Sequence, residues 1–296
     1  MQILLSGASG LVGTDLTKYL VQQGHQVTKL QRDKNNQGIF WDPTKGIIEA
    51  EKITGFDAVI HLAGENIANK RWSPSQKQLI RDSRINSTKL LSNTLASLTY
   101  KPKVLLTASA IGFYGDRPNE TLDENSQRKE GDFLSDTCYE WELATDSAKK
   151  AGIRVAHSRF GIILSPKGGA LSKLLLPFQL GAGGILGNGK QIMSWIALDD
   201  VISALAFLLE NDISGPVNFT SPESVSNQQF TNILAKVLFR PAIAPVPAFA
   251  ARLVFGEMAD ALLLSSAKVM PNKLSSSGYK FLYPNLEVAL RHLLSK

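Results

Sequence analysis

The fold is decided by one stretch of sequence, Gln2-Ile3-Leu4-Leu5-Ser6-Gly7-Ala8-Ser9-Gly10-Leu11-Val12-Gly13. Its apolar start predicts a buried strand, and the residues from about Leu11 predict a helix with one apolar face. The turn between them has the pattern Gly-x-x-Gly-x-x-Gly. Gly7 allows a tight turn, Gly10 lets a ligand approach the backbone, and Gly13 lets the helix pack closely on the strand.

This turn is predicted to bind the diphosphate of a dinucleotide. A helix that begins at such a turn offers free backbone N–H groups and the positive end of its dipole to phosphate oxygens. An ordinary strand-to-helix turn is the alternative, but a position directly after the first strand of a βαβ unit favours binding. The residues expected to contact the dinucleotide here are Gly7, Ser9, Gly10, Leu11, Val12 and Gly13.

The first half of the chain alternates short apolar runs with longer segments of helical period, which favours βαβ units and a parallel sheet. The predicted strands cover residues 2–5, 27–30, 57–62, 103–109, 153–160 and 217–219. The predicted helices begin at about residue 11 and cover residues 75–97, 135–150 and 201–209. We therefore predict an α/β fold, a doubly wound parallel sheet of the Rossmann type in residues 1–225. A smaller, helical C-terminal lobe is predicted in residues 240–296, after a proline-bearing segment.

Composition limits the possible functions. The chain has 296 residues, 44% hydrophobic and 20% charged, which suffices for one large core. No apolar run is long enough to cross a bilayer or to serve as a secretory leader, so a cytoplasmic protein without membrane contact is expected. One cysteine excludes an internal disulfide, and the four histidines lack metal-ligand spacing, so no metal is expected. The net charge of +6 arises from scattered Lys and Arg residues, a distribution that does not predict nucleic-acid binding.

The end of the second predicted strand, Leu30-Gln31-Arg32-Asp33, bears on the choice of dinucleotide. An NAD site usually places a carboxylate about 20 residues after the glycine turn, where it binds the ribose 2′-hydroxyl. Gln31 is neutral, and Arg32 can pair with the 2′-phosphate of NADP through its planar guanidinium. This favours NADP(H). The alternative is that Arg32 only faces solvent and that Asp33, one position later, serves as the NAD carboxylate.

Further motifs make the chain similar to the extended short-chain dehydrogenase/reductase superfamily, in its NAD-dependent, nucleotide-sugar epimerase-like group. They are His61-Leu62-Ala63-Gly64, Ser109 with Tyr114-Gly115, Arg159-Phe160, and Trp195-Ile196-Ala197-Leu198-Asp199-Asp200-Val201. The resemblance implies that Leu62, Ala63 and Gly64 also contact the cofactor. In the last motif, Asp199-Asp200 is expected to cap the helix that follows.

A narrower resemblance, which covers essentially the whole chain, is to the branch called "epimerase family protein". Its motifs here are Ala63-Gly64-Glu65-Asn66-Ile67, Arg71-Trp72, Ser83-Arg84-Ile85, residues 109–115 and Trp141-Glu142. That branch carries a small C-terminal domain of unknown function. Residues 276–284 of this chain resemble the end of that domain. Similar proteins of cyanobacteria and plastids carry a SulA-like cell-division label.

The superfamily resemblance implies catalysis by a tyrosine, a lysine, a serine and an asparagine. The tyrosine exchanges a proton while the nicotinamide transfers a hydride, and a lysine four residues later lowers the tyrosine pKa. This spacing matters because residues i and i+4 share one helix face. Ser109, at the end of a predicted strand, matches the serine. Arg84 stands where the helix asparagine is expected.

The Tyr-x-x-x-Lys element itself is absent. In the best alignment Cys138 occupies the tyrosine position and Glu142 the lysine position. A shift by one residue restores a tyrosine, Tyr139, but pairs it with Leu143, which can neither carry charge nor bind a ribose. The standard mechanism is therefore not supported.

Two hypotheses remain. In the first, the site is rebuilt, and the chain is an NADP(H)-dependent oxidoreductase or epimerase-like enzyme. Its substrate, an unidentified small carbonyl or hydroxyl compound, would bind between the Rossmann domain and the lobe. Glu142 or Tyr114 would then exchange protons, and Arg84 would stabilise an oxyanion. Cys138 would gain thiolate character from the helix N-terminus.

In the second hypothesis these residues are inert. The chain is then a non-catalytic NADP(H)-binding regulatory protein with a protein partner, for example in cell division. For Cys138 the favoured interpretation is a small buried hydrophobic side chain.

Overall fold

The structure, a computed structural model, describes residues 1–295. Its α-helices are α1 (Leu11–Gln22), α2 (Pro74–Ser97), α3 (Phe133–Leu143), α4 (Asp146–Lys150), α5 (Gly169–Gln179), α6 (Leu198–Glu210), α7 (Asn227–Leu238), α8 (Ala248–Phe255), α9 (Asn272–Ser276) and α10 (Leu286–Leu294). Its first strands are β1 (Gln2–Ser6), β2 (Gln26–Gln31), β3 (Ile39–Asp42), β4 (Ile47–Ile48), β5 (Ala58–His61), β6 (Val104–Ala110) and β7 (Arg117–Leu122). The later strands are β8 (Arg154–Phe160), β9 (Ile162–Leu164), β10 (Ile192–Met193), β11 (Trp195–Ala197), β12 (Gly215–Phe219), β13 (Val225–Ser226) and β14 (Ala267–Val269).

The predicted doubly wound sheet is confirmed. Eight strands form it, in the order β12-β8-β6-β5-β1-β2-β3-β4. β1 pairs in parallel with β2 on one side and with β5 on the other, β2 with β3, and β5 with β6. The edge pair β3–β4 is antiparallel. The chain leaves β1 toward β2 and returns to β5, so the strand order reverses between β1 and β5. Ligands of such sheets bind beyond the carboxyl ends of the strands at this reversal.

The chain forms two compact units. The first comprises residues 1–110, 136–159 and 202–217 and contains the strands around β1. Ile3, Leu4 and Leu5 are fully buried, because a central parallel strand is covered on both faces. Their continuous apolar pattern is what made β1 predictable from the sequence.

The second unit comprises residues 111–135, 160–201 and 218 onward. Its core includes Trp195, Phe230 and Leu290, all buried. Helix α7 begins with a capping box, in which the Ser226 side chain accepts from the backbone of Gln229 and the Gln229 side chain accepts from the backbone of Ser226.

Two local predictions differ from the structure. The helix expected over residues 135–150 is divided into α3 and α4, because the Thr145 hydroxyl donates to the carbonyl of Glu142 and ends the first helix. Asp200 does not act as a simple cap. It lies in the first turn of α6, and its carboxylate accepts hydrogen bonds from the Tyr279 hydroxyl and from the backbone of Leu282 and Tyr283.

The C-terminal region also holds more than helices. Strand β14 pairs in parallel with β7, and residues 259–264 form a π-helix. Within residues 1–295, no helix is long and apolar enough to span a membrane. In the same range, no group of three or more His, Cys, Asp or Glu side chains is arranged to hold a metal ion.

Candidate functional site

The glycine turn has the geometry that its sequence predicts. Gly7 has a φ of +75°, and a Cβ there would lie 2.6 Å from the carbonyl carbon of Leu62. A Cβ at Gly13 would overlap the carbonyl oxygen of Gly7. At Gly10 the constraint is milder, because a Cβ would lie 3.3 Å from that same oxygen. The turn is thus built from backbone in close contact, and only glycine fits at its first and last positions.

The N-terminus of α1 is open to an external anion. Its N-cap residue, Gly10, has no side chain to accept from the first N–H groups, and no acidic residue lies in the first turn. The first N–H groups of any α-helix lack partners within the helix. Here, therefore, they are available to a phosphate, as the dinucleotide prediction requires.

The second predicted cofactor segment lies beside this turn. Strands β1 and β5 pair so that Ser6 is opposite His61, and the N–H of Leu62 donates to the carbonyl of Ser6 at 3.2 Å. Leu62, Ala63 and Gly64 therefore leave the sheet next to Gly7. These residues fit a dinucleotide that lies across the reversal between β1 and β5.

The residues after β2 distinguish the two possible cofactors. Both carboxylate oxygens of Asp33 are occupied locally, one by the N–H of Asn35 at 2.9 Å and the other by the side chain of Asn36 at 3.1 Å. Arg32, the first residue after the strand, is exposed, and no hydrogen bond or ion pair of it is found within residues 1–295. Asp33 thus has local hydrogen-bond partners, whereas within the described part of the chain Arg32 offers a guanidinium without one, and a guanidinium suits a 2′-phosphate better than a ribose hydroxyl.

A first prediction separates the roles of two glycines. Gly13→Ala should lower the free energy of unfolding by about 2 kcal/mol, because its methyl group overlaps backbone that cannot move aside. Gly10→Ala should leave the thermal midpoint near that of the wild type, since Gly10 has a φ of −76°. It should instead weaken dinucleotide binding by covering the approach to the helix. Thermal unfolding without cofactor and titration with NADPH measure the two effects. Equal midpoints in both variants would contradict these roles.

Ser109, Glu142 and Arg159 form the polar centre of the candidate catalytic site. Ser109 ends the buried part of β6, Glu142 lies near the end of α3, and Arg159 lies near the end of β8. The Ser109 hydroxyl donates to Glu142 Oε1 at 2.7 Å. Arg159 binds the same carboxylate with two hydrogen bonds of 2.8 Å, from Nε to Oε1 and from Nη2 to Oε2.

This contact determines the charge of Glu142. Burial alone would raise the pKa of the Glu142 carboxyl. The hydrogen bonds and the charge of Arg159 lower it by more than burial raises it, so the pKa lies below its usual value. Glu142 is therefore ionised at neutral pH, and its charge is matched by Arg159. A carboxylate held in this way orients its neighbours and is poorly suited to take up protons.

Cys138 lies one turn before Glu142 on α3 and is buried. Burial raises the pKa of its thiol to about 12, and the charge of Glu142 acts in the same direction. The opposing effect of Arg84 is smaller. The thiol is thus neutral at physiological pH, which agrees with the favoured interpretation of a small hydrophobic side chain and disfavours a thiolate.

Tyr114 belongs to the second unit, where it is fully buried. Its hydroxyl donates to Oδ1 of Asn218 at 2.7 Å, and its ring contacts Phe113 edge to face. Proton donation to a substrate would require this hydrogen bond to break. Of the five residues predicted to take part in catalysis, Ser109, Glu142, Cys138 and Arg84 lie together in the first unit.

A buried histidine network near the glycine turn had not been predicted. His61 Nδ1 lies 2.6 Å from the Ser6 hydroxyl, and Nε2 lies 2.9 Å from the Thr88 hydroxyl. The indole N–H of Trp141 donates to the same Thr88 oxygen at 2.9 Å. The network thus joins β1 and β5, which carry the turn, to α2 and α3, which carry Arg84 and Glu142. Its signal in the sequence is the motif His61-Leu62-Ala63-Gly64, from which only Leu62, Ala63 and Gly64 are predicted as cofactor contacts.

Comparison with known families agrees with this geometry. The family "NAD dependent epimerase/dehydratase" matches residues 3–219, and a domain of unknown function, DUF1731, matches residues 246–293. The chain is 38% identical over 297 residues to the epimerase family protein Mb2239 of Mycobacterium bovis, covering 99% of this chain and 98% of that protein. It is 37% identical to the epimerase family protein YfhF of Bacillus subtilis, covering 100% and 98%.

Solved structures give the same result. The human epimerase family protein SDR39U1, crystallised with NADPH, superposes with a TM-score of 0.91 at 32% identity, covering 100% of this chain and 99% of that chain. The UDP-N-acetylglucosamine 4-epimerase of Bacillus cereus superposes with a TM-score of 0.78 over 99% and 98% of the two chains. Its identity is only 16%, so that likeness concerns the fold alone.

Proposed function

Because the chain belongs to the NAD-dependent epimerase/dehydratase family, we propose that it is an atypical NADP(H)-binding short-chain dehydrogenase/reductase. Its substrate would be a small compound with a hydroxyl or carbonyl group. The observation that carries the cofactor assignment is the contrast after β2: Asp33 is occupied by Asn35 and Asn36, whereas Arg32 is available. The NADPH in the structure of the human relative supports the same choice.

The cofactor, when bound, supplies hydride transfer. The chain supplies the groups that hold and orient a substrate. Since the Ser109 hydroxyl hydrogen is donated to Glu142, the lone pairs of the oxygen remain free to accept from a substrate. Ser109 is therefore suited to orient a substrate hydroxyl. Arg159 keeps Glu142 ionised, so that Ser109 stays in this orientation.

A second candidate function is favoured by a specific observation. Glu142 is paired with Arg159, the Cys138 thiol is neutral, and the Tyr114 hydroxyl is bound to Asn218. None of these three groups is poised to exchange a proton at neutral pH. A non-catalytic NADP(H)-binding regulator with a protein partner is the corresponding alternative. Consumption of NADPH across a panel of carbonyl compounds would argue for the enzyme, and a complete lack of turnover with intact binding for the regulator.

The cofactor assignment has a direct test. Arg32→Ala should weaken NADPH binding by about 10- to 100-fold, because a charge-assisted contact to the 2′-phosphate is lost. NADH binding should change little, since NADH lacks that phosphate. Fluorescence titration of both cofactors measures the difference.

Asp33→Asn is the matched control, because it keeps a side-chain oxygen for the N–H of Asn35 but removes the negative charge. It should leave NADH binding unchanged. If Asp33→Asn weakens NADH binding while Arg32→Ala lowers both affinities equally, the site is an NAD site and the assignment is wrong.

A further inference from the structure

Arg84 is a cation without a carboxylate partner. It lies on α2, and its guanidinium carbon would lie 3.5 Å from a Cβ built at Gly64, so it packs directly on the backbone after β5. The guanidinium also lies over the ring of Trp141, 5.1 Å from the centroid. Its one hydrogen bond within residues 1–295 is from Nη1 to the carbonyl of Ile80, at 2.9 Å.

The other arginine of this site differs. Arg159 is matched by two hydrogen bonds to Glu142, so that pair adds no net charge. For Arg84, no Asp or Glu oxygen of residues 1–295 lies within 4.0 Å of its nitrogens. The charge of Glu65 acts on Arg84 without an ion pair between them, and the neighbouring Cys138 thiol is neutral. Burial lowers the pKa of Arg84, yet a guanidinium stays charged at physiological pH. The site therefore keeps one uncompensated positive charge.

The position of this charge identifies what it can bind. Gly64 follows β5 at the carboxyl edge of the sheet, where the strand order reverses. Both Arg84 and Ser109 contact α3, Arg84 at the ring of Trp141 and Ser109 at the carboxylate of Glu142. Within residues 1–295, Nη1 is the only side-chain nitrogen of Arg84 that donates a hydrogen bond. A guanidinium without an ion-pair partner favours a planar anion that presents two oxygens.

We propose that Arg84 binds a carboxylate of the substrate, so that the substrate class is a small hydroxy or oxo acid. The hydroxyl of a hydroxy acid would then be the group that Ser109 orients. The assignment of a reacting group rests on the proposed function, whereas the anion site itself does not.

The test uses the full-length protein and the dianion oxalate, with the neutral amide acetamide and with chloride at matched ionic strength as controls. Oxalate should raise the thermal midpoint of the wild type by about 3 °C at roughly ten times its Kd, with and without NADPH. Acetamide and chloride should leave the thermal midpoint unchanged. Oxalate should also change tryptophan fluorescence, since Trp141 lies against Arg84, and Trp141→Phe should remove most of that change.

Arg84→Met is the decisive variant, because it keeps an unbranched apolar chain and removes the charge. Its midpoint without oxalate should equal or exceed that of the wild type, since an unpaired cation is lost, and oxalate should no longer raise it. Arg84→Lys should retain a reduced response. NADPH affinity should be unchanged in Arg84→Met.

Three results would overturn the proposal. The first is that oxalate stabilises the wild type and Arg84→Met equally, and the second is that it stabilises neither. The third is that Arg84→Met loses NADPH affinity by about tenfold or more, which would assign Arg84 to a cofactor phosphate instead. A wild type that responds to oxalate but does not bind NADPH would refute the proposed function and leave the anion site intact.

Discussion

Glu142→Gln is expected to lower the free energy of unfolding by about 3–5 kcal/mol, because it removes the carboxylate that balances the charge of Arg159 in the interior. Glutamine keeps the size of the side chain but removes its charge. The side chain of Arg159 is only 4% exposed, so water cannot replace the lost carboxylate. A guanidinium does not release its proton at accessible pH, so the cost cannot be avoided by neutralisation. Urea-induced unfolding at neutral pH measures the loss.

The matched variant is Arg159→Met, and its loss should be smaller. Without Arg159, burial raises the pKa of Glu142 above its unfolded value of about 4.5, and the carboxyl can take up a proton. At Glu142 the folded state then binds more protons than the unfolded state, so this carboxyl should contribute stability that increases as the pH falls toward that value. Arg159→Met should therefore lose stability on acidification less steeply than the wild type. In the wild type the sign is opposite. There the lowered pKa of Glu142 contributes stability above about pH 4.5 that is lost as the pH falls through the folded value.

The double variant Glu142→Met with Arg159→Met completes the cycle. It should be more stable than Glu142→Gln, since it leaves no buried charge, and the interaction energy of the pair should exceed about 2 kcal/mol. Additive losses in the cycle would show that the two side chains do not stabilise each other. The pair would then have no structural role in keeping Glu142 ionised, and the orientation of Ser109 would need another cause.

The central strands and the glycine turn could be predicted because local sequence determines them. β1, β2, β5, β6, β8 and β12 all coincide with predicted apolar runs. A strand buried on both faces must be apolar throughout, and this leaves a visible pattern. The turn was predictable for a related reason, since Gly7 and Gly13 are required by backbone contacts within a few residues.

The short strands could not be predicted in the same way. β10 and β13 have two residues each, and they exist because Ile192 and Met193 lie opposite Ser226 and Val225. β14 pairs with β7 across about 150 positions of sequence. Such ladders depend on partners that are distant in the chain, and two or three residues carry no detectable period.

The candidate catalytic site illustrates the same limit. Ser109 and Glu142 could be selected by alignment with a family, but their hydrogen bond joins residues 33 positions apart. The motif Arg159-Phe160 carries no sign in the sequence of the contact between Arg159 and Glu142. Because β6 and β8 are neighbours in one sheet, the ends of the two strands bring Ser109 and Arg159 to the same carboxylate. Arg159 thus balances the negative charge of Glu142, and the spacing of residues in the sequence could not identify this partner.

The second large effect is expected on acidification, because two buried histidines are neutral in the folded state. Burial lowers the pKa of His61 to about 4, against an unfolded value of 6.5. His157, whose Nδ1 lies 3.0 Å from the Thr107 hydroxyl, is lowered to about 4 as well, also by burial. The unfolded chain therefore binds more protons than the folded protein between about pH 4 and 6.5.

The sign follows from this difference. Stability is fully present above pH 6.5 and falls as the pH decreases toward 4. The difference between 6.5 and about 4 corresponds to about 3 kcal/mol for each histidine. Near pH 5 both His61 and His157 contribute, so the free energy of unfolding should fall by about 2–3 kcal/mol for each unit by which the pH decreases. Urea unfolding at a series of pH values measures this slope.

His61→Gln distinguishes the contribution of His61 to this slope from that of other groups. Glutamine can donate and accept hydrogen bonds toward Ser6 and Thr88 but has no proton to gain, so the slope should fall by about half even if the overall stability is lower. An unchanged slope in His61→Gln would mean that His61 takes up its proton in the folded protein. The hydrogen bonds of His61 to Ser6 and Thr88 would then form with a charged imidazolium as well. The connection that they make between the glycine turn and α2 would not require a neutral ring.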